Sequence, residues 1–126
     1  MAKRYKQKLG VKGEEIATDF LEKKGYKILK KNYRYKHKEI DLIARDRNTI
    51  VFIEVKAGRS KKFGEPHERV DLRKRKKLVE VAQAFLSEND LSGFDFRFDV
   101  VGIDLENDEK MVTHIPNAFT IDWTSP

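Results

Sequence analysis

Apolar side chains recur every three to four residues in two parts of the chain and alternate with polar ones in others. The helical spacing covers residues 10–24 and the stretch from Pro66 to Ser87, which predicts two amphipathic helices. Five alternating stretches, rich in β-branched and aromatic residues, predict strands. They cover residues 26–35, 39–46, 49–56, 94–103 and 110–115. The predicted order α-β-β-β-α-β-β describes an α/β fold with a mixed β-sheet flanked by helices.

A chain of 126 residues is long enough for one hydrophobic core, so we expect a single domain over residues 1–126. Residues 1–8 and 124–126 have no apolar pattern and are expected to form flexible tails. No apolar stretch is long enough to cross a bilayer, and the N-terminus lacks the apolar segment of a secretory signal. Because cysteine is also absent, the expected location is the cytoplasm.

The predicted hairpin of residues 39–56 places two carboxylates opposite each other. A two-residue turn at Arg47 and Asn48 fixes the register of its strands. The resulting pairs are Asp46–Thr49, Ile43–Phe52, Asp41–Glu54 and Glu39–Lys56. Strict alternation then places the six residues of the last three pairs on one face of the sheet. Opposed carboxylates destabilise the strand pair that carries them, so this placement calls for an explanation.

One explanation is a solvated face on which Lys56 and Arg45 neutralise Asp41 and Glu54. A metal site is favoured instead, because the two acids adjoin apolar residues of the same face and would be poorly solvated there. Glu14 adds a third carboxylate, since it shares the buried side of the first helix. Clustered carboxylate oxygens select a hard divalent cation such as Mg²⁺.

Such a site would suit hydrolysis of a phosphate ester. A metal-bound water becomes a nucleophile near neutral pH, and the metal offsets charge that builds on the phosphoryl group. Lys56, two residues after Glu54, is placed to orient that water or to stabilise the charge of the transition state. The candidate catalytic residues are therefore Glu14, Asp41, Glu54 and Lys56, with the three acids as metal ligands.

The basic residues indicate a polyanionic partner. A formal net charge of +6 favours nucleic acid ahead of a membrane surface. Arg59, Lys61 and Lys62 follow the Glu54 strand and are expected to contact phosphates. Lys74 continues the buried stripe of the second helix towards the sheet and is expected to do the same, whereas the rest of residues 73–77 forms a solvated face.

Other polar residues receive less specific interpretations. Tyr33 and Tyr35 either stack on bases or pack in a half-buried strand, and packing is the commoner role. Arg97 and Asp99 share a strand face and are expected to pair with each other. The three histidines have no metal-ligand spacing, and His114 is interpreted as structural.

The combination of Glu14, IDLIARD and FIEVK resembles the PD-(D/E)XK nuclease superfamily. The wider pattern resembles the YraN-like family of small bacterial proteins, whose nearest relatives are the archaeal Holliday junction resolvases. Its segments are KGEEIATDFL, GYKILKKNYR, KEIDLIA, FIEVK, FGEP, FRFDVV and HIPNAF. The resemblance implies a restriction-endonuclease-like fold, Asp41 and Glu54 as metal-binding acids, Lys56 as the catalytic lysine and Glu14 as the helix glutamate of resolvase-like members.

The expected function is that of an endonuclease dependent on Mg²⁺ or Mn²⁺, with DNA ahead of RNA and branched DNA among the candidate substrates. The alternatives are a non-catalytic nucleic-acid-binding module that keeps the fold, and an interaction protein that docks on an acidic partner. The resemblance also suggests a homodimer, because a four-way junction needs two symmetric cuts. Lys38 and Gly58 depart from the usual glycine and arginine of the family, and both departures concern contacts with substrate.

Overall fold

The computed structural model describes residues 2–58, 72–91, 93–105 and 111–119, without the side chains of residues 2–11, 72–74 and 119. In chain order the elements are α1 (Ala2–Lys23), β1 (Lys27–Tyr35), β2 (Lys38–Asp46), β3 (Thr49–Gly58), α2 (Leu72–Glu88), β4 (Asp95–Asp104) and β5 (Met111–Phe119). The α/β class predicted from the sequence is confirmed. Neither helix of the described residues is long and apolar enough to cross a membrane.

The five strands form one mixed sheet in the order β1-β2-β3-β4-β5. The first three pair in antiparallel fashion as a meander. Strand β4 pairs in parallel with β3, and β5 returns antiparallel to β4. The parallel pair needs a crossover connection, and α2 lies in that connection.

Each helix covers one face of the sheet. On the α1 face, Ala17 and Leu21 pack on the apolar side chains of β2, β3 and β4. The sheet residues of that core are Leu42, Ala44, Val51, Ile53, Val101 and Ile103. On the α2 face, residues of α2 pack on Ile40, Ile43, Ile50, Phe52, Phe98 and Val100. Burying each large side chain of these cores stabilises the fold by about 1.5–3 kcal/mol.

The hairpin turn forms as predicted, at Arg47 and Asn48. Asp46 pairs with Thr49, and the register continues inward along both strands. Arg47 has a φ of 55°, in the left-handed region that two-residue hairpin turns require.

Some predicted boundaries differ from those of the structure. Helix α1 begins at Ala2, so residues 2–8 are helical and do not form the expected tail. Strand β5 continues past Pro116 to Phe119. A proline is compatible with this position because β5 is an edge strand. The predicted helix start at Pro66 and the C-terminal tail lie outside the described residues.

Helix α1 approaches β3 closely at Gly13. A Cβ atom added there would lie 2.6 Å from the Cβ of Ala57, a distance that real side chains do not adopt. The small residue therefore fixes the height of α1 above the sheet, and with it the position of the neighbouring Glu14.

Replacing Gly13 with alanine is expected to destabilise the protein. In an open helical position this change would stabilise by about 1 kcal/mol. Here overpacking against Ala57 should cost about 1–3 kcal/mol instead. Urea unfolding of Gly13→Ala, with Gly13→Ala/Ala57→Gly as the matched rescue, measures the effect. A single variant more stable than the parent would show that the helix does not rest on β3 at this point.

Candidate metal site

The candidate site lies where β2 and β3 separate. Their pairing runs from Asp46–Thr49 to Leu42–Ile53 and ends there, although both strands continue. Beyond that point the backbone N–H of Val55 donates a hydrogen bond of 2.7 Å to Oδ2 of Asp41. The carboxylate of Asp41 thus occupies the opening between the strands, which we call the seam.

Strict alternation is broken in β2 beside the seam. Ile40 and Ile43 both pack in the core of the α2 face, although they are three residues apart. Leu42 and Ala44 pack in the core of the α1 face. The prediction that Asp41 and Glu39 share the face of Phe52 is therefore wrong, because alternation assumes a ladder without irregularities.

Glu39 and Asp41 lie instead close to helix α1. One carboxylate oxygen from each of Glu14, Glu39 and Asp41 lies within 4.8 Å of the other two. The predicted approach of Glu14 to Asp41 is therefore present. Glu39 was not among the predicted ligands, because the predicted register gave it Lys56 as a partner. Its spacing of two residues from Asp41 was the signal that indicated a shared side.

Glu54 reaches the seam from the other face. It lines a narrow crevice with Ile40, Phe52 and Leu78 on the α2 face. Its negative charge nevertheless acts strongly on Asp41 across the seam, more strongly than that of Glu14. The two predicted metal-binding acids are thus electrostatic neighbours on adjacent antiparallel strands.

The surroundings of Asp41 disfavour its ionised form. Burial is the largest cause that raises the pKa of Asp41 to about 7, and the charge of Glu54 is the next. The hydrogen bond from Val55 acts in the opposite direction, and Glu14 and Glu39 raise the pKa further. In the absence of a cation, this carboxylate is therefore shared between its protonated and ionised forms near neutral pH.

Two residues of β1 contact the carboxylates of Glu14 and Glu39. The side-chain amide of Asn32 donates a hydrogen bond of 3.0 Å to Oε2 of Glu14. Nε of Arg34 lies 3.4 Å from Oε2 of Glu39. Both residues were missed as contributors to the site, although they belong to the segment GYKILKKNYR that carried the family resemblance.

The remaining predicted site residues are only partly described. Lys56 is half-buried in β3, two residues beyond Glu54. Arg59, Lys61 and Lys62 lie outside the described residues. The side chain of Lys74 lies outside them too, although its backbone belongs to the first turn of α2.

Neighbouring residues of β1 and β2 turn to the α2 face. Tyr33 and Tyr35 pack against its core, and the ring of Tyr33 meets that of Phe85 edge-on at 5.2 Å. Lys38 forms an ion pair with Glu80 of α2. The packing interpretation of both tyrosines is confirmed, and the departure at Lys38 introduces a contact between β2 and α2.

A second polar cluster surrounds the buried carboxylate of Asp99. Nε of Arg97 lies 3.0 Å from Oδ1, and Nε2 of His114 lies 2.7 Å from Oδ2. The backbone N–H of Asn117 donates to Oδ1 at 3.0 Å. The predicted pairing of Arg97 with Asp99 is confirmed, and His114 joins it in a cluster that links β4 to β5. Asp99 is thus surrounded by donors, whereas Asp41 is surrounded by acids.

A family model covers the residues of the candidate metal site. The model of the uncharacterised protein family UPF0102 matches residues 13–103, a range that contains Glu14, Asn32, Asp41 and Glu54. The chain belongs to this family. The predicted resemblance to the YraN-like family is thereby confirmed.

Members of UPF0102 are similar to this chain over nearly their full length. The UPF0102 protein of Caldanaerobacter subterraneus subsp. tengcongensis is 46% identical over 94% of this chain and 100% of its own. That of Clostridioides difficile is 47% identical over 85% of this chain and 92% of its own. A third, from Chloroherpeton thalassium, is 44% identical over 87% and 81%.

Replacing Asp41 with asparagine is expected to stabilise the metal-free protein at pH 8. The folded protein holds the Asp41 proton more tightly than the unfolded chain does, because the pKa is raised from 3.8 to about 7. The parent therefore loses stability as the pH rises from about 4 to about 7, and changes little above that range. The difference corresponds to up to roughly 4 kcal/mol. Thermal melts between pH 4 and 8 should be flatter for Asp41→Asn.

Asp99→Asn is the matched control, because it makes the same change in the donor-rich cluster. It should lose up to about 3–5 kcal/mol, since the guanidinium of Arg97 would lose its closer anionic partner and keep only the carboxylate of Asp46, at 3.6 Å. If Asp41→Asn also lost stability at pH 8, the carboxylate of Asp41 would be a structural group like that of Asp99.

Proposed function

We propose that the protein is a metal-dependent nuclease of the PD-(D/E)XK type, which hydrolyses phosphodiester bonds of nucleic acid. The observation that carries this proposal is the carboxylate of Asp41, half-buried in the seam near Glu14, Glu39 and Glu54. These four carboxylates lie close together although packing does not require it, and their mutual repulsion destabilises the fold. A divalent cation would turn that cost into binding energy.

The residues present fit a hard divalent cation. Every donor of the cluster is a carboxylate oxygen, which is the ligand type that Mg²⁺ and Mn²⁺ select. Two ligands on opposite sides of one Mg²⁺ are about 4.2 Å apart. The oxygens of Glu14, Glu39 and Asp41 lie within 4.8 Å of one another, so small side-chain adjustments would suffice.

Each residue has a role in this chemistry. When bound, the metal supplies a water that is nucleophilic near neutral pH and an electrostatic counterweight for the phosphoryl group. Asp41, Glu14 and Glu39 would hold the cation, and Glu54 would add its negative charge from the other side of the seam. Lys56 orients the attacking water or stabilises negative charge on the phosphate.

The fold and the charge of the chain support the same proposal. A mixed five-stranded sheet between two helices, with acids where central strands separate, agrees with a restriction-endonuclease-like fold. The formal net charge of +6 suits a polyanionic substrate, with DNA ahead of RNA. A homodimer would suit symmetric cuts in branched DNA.

Cleavage assays with matched acid variants test this function. The parent should cut DNA in Mg²⁺ or Mn²⁺, and Asp41→Asn and Glu54→Gln should each lose at least about 100-fold in rate, because each removes an anionic group from the site. Glu15→Gln is the control, since Glu15 adjoins Glu14 but is exposed. Linear, flapped and four-way DNA and linear RNA should be compared in parallel.

Isothermal titration with Mn²⁺ accompanies the assay and separates the alternatives. A parent that binds Mn²⁺ and nucleic acid but cuts none of the four substrates would favour a non-catalytic binding module. Cleavage that persists equally in Asp41→Asn would point to a contaminating enzyme. A parent that does not bind Mn²⁺ would refute the proposed metal site.

The predicted phosphate contacts of Lys61 and Lys62 have a separate test. Each phosphate contact releases a counterion, so Lys61→Ala/Lys62→Ala should weaken DNA binding and reduce the slope of log K against log salt by about 2. Lys77→Ala is the control, because Lys77 is an exposed residue of α2. An equal slope for the double variant and the parent would show that these lysines do not contact phosphates and are only solvated.

A further inference from the structure

Asn32 has an unusual backbone conformation for its place in the fold. It lies inside β1 and has a φ of 51°, in the left-handed region. Paired residues lie on both sides of it, so it is not part of a turn. Asparagine enters this region at less cost than other residues with a side chain. A left-handed residue within a paired strand persists only where its surroundings require it.

The requirement comes from β2. Lys31 pairs with Leu42 and Tyr33 pairs with Ile40, which leaves Asn32 opposite Asp41. Leu42 and Ile40 lie in the cores of opposite faces, so both strands leave alternation at the same position. The left-handed backbone conformation of Asn32 keeps β1 in register with β2 while Asp41 is directed into the seam.

The side chain of Asn32 contacts the same site through Glu14. Its amide donates a hydrogen bond of 3.0 Å to Oε2 of Glu14, which belongs to α1. Glutamate has three rotatable side-chain bonds, and a fixed donor restricts its orientation. One residue therefore connects the backbone beside Asp41 with the carboxylate of Glu14.

We propose that Asn32 is a positioning residue of the metal site, which sets Asp41 through its backbone and Glu14 through its side-chain amide. This inference rests on the proposed metal-dependent function. It assigns Asn32 no contact with the metal or the substrate. Groups that orient metal ligands typically account for 10- to 100-fold in metal affinity.

Mn²⁺ affinity and thermal stability, measured on two variants of Asn32, separate its two contributions. Asn32→Gly keeps access to the left-handed region and loses the amide, so it should bind Mn²⁺ about 10-fold more weakly with a melting temperature near that of the parent. Asn32→Ala also opposes the backbone conformation, so it should bind Mn²⁺ more weakly still and melt earlier.

Asn117 provides a matched control within the same chain. It too is an asparagine within a strand, with a φ of 50°, but it adjoins Asp99 rather than the acids of the seam. Asn117→Ala should therefore melt earlier than the parent while its Mn²⁺ affinity stays within about twofold. Such a pattern would show that backbone strain alone does not weaken metal binding.

The titrations distinguish failure of this inference from failure of the proposed function. If the parent binds Mn²⁺ and both Asn32 variants bind it within twofold of the parent, Asn32 positions nothing and the metal site stands. Equal weakening in Asn32→Ala and Asn117→Ala, with none in Asn32→Gly, would also overturn the inference. A parent without Mn²⁺ affinity would overturn the inference and the metal site together.

Discussion

The hydrogen bond between the Val55 amide and the Asp41 carboxylate is the contact on which the site depends. It replaces a ladder bond at the point where β2 and β3 separate. A half-buried amide that leaves the ladder needs another acceptor, and here the side chain of Asp41 supplies it. That side chain is a carboxylate and not a neutral amide. Because acids surround it, the carboxylate does not stabilise the fold better than an amide would. The opening between the strands and the charge within it thus arise together.

Half-buried Asp41 and buried Asp99 show how surroundings decide the role of one residue type. Asp99 receives hydrogen bonds from a guanidinium, an imidazole and a backbone amide, so its charge is fully used within the fold. Asp41 receives one backbone amide, and the other charges that act on it are negative. The first arrangement fastens strands to each other. The second places Asp41 among negative charges that raise its pKa.

The sequence predicted the hairpin well because its determinants are local. The turn at Arg47 and Asn48 and the pair Ile43–Phe52 follow from short-range preferences and from a regular ladder. The predicted face of Asp41 was wrong because simple alternation within the hairpin takes no account of β1, which departs from alternation at the same position. The left-handed conformation of Asn32 depends on β1, β2 and α1 at once, and no local pattern indicates it. Glu39 was assigned the wrong neighbours for the same reason.

The close contact of α1 with β3 connects stability with the electrostatics of the site. Gly13 allows the helix to approach the sheet, and this approach brings Glu14 towards Asp41. The packing energy of the α1 core therefore opposes the repulsion between the two carboxylates. A cation that neutralises the cluster would relieve this opposition and bind to a site that the core has already assembled. The fold thus bears the cost of gathering the acids before the cation arrives, which is what preorganisation of a metal site requires.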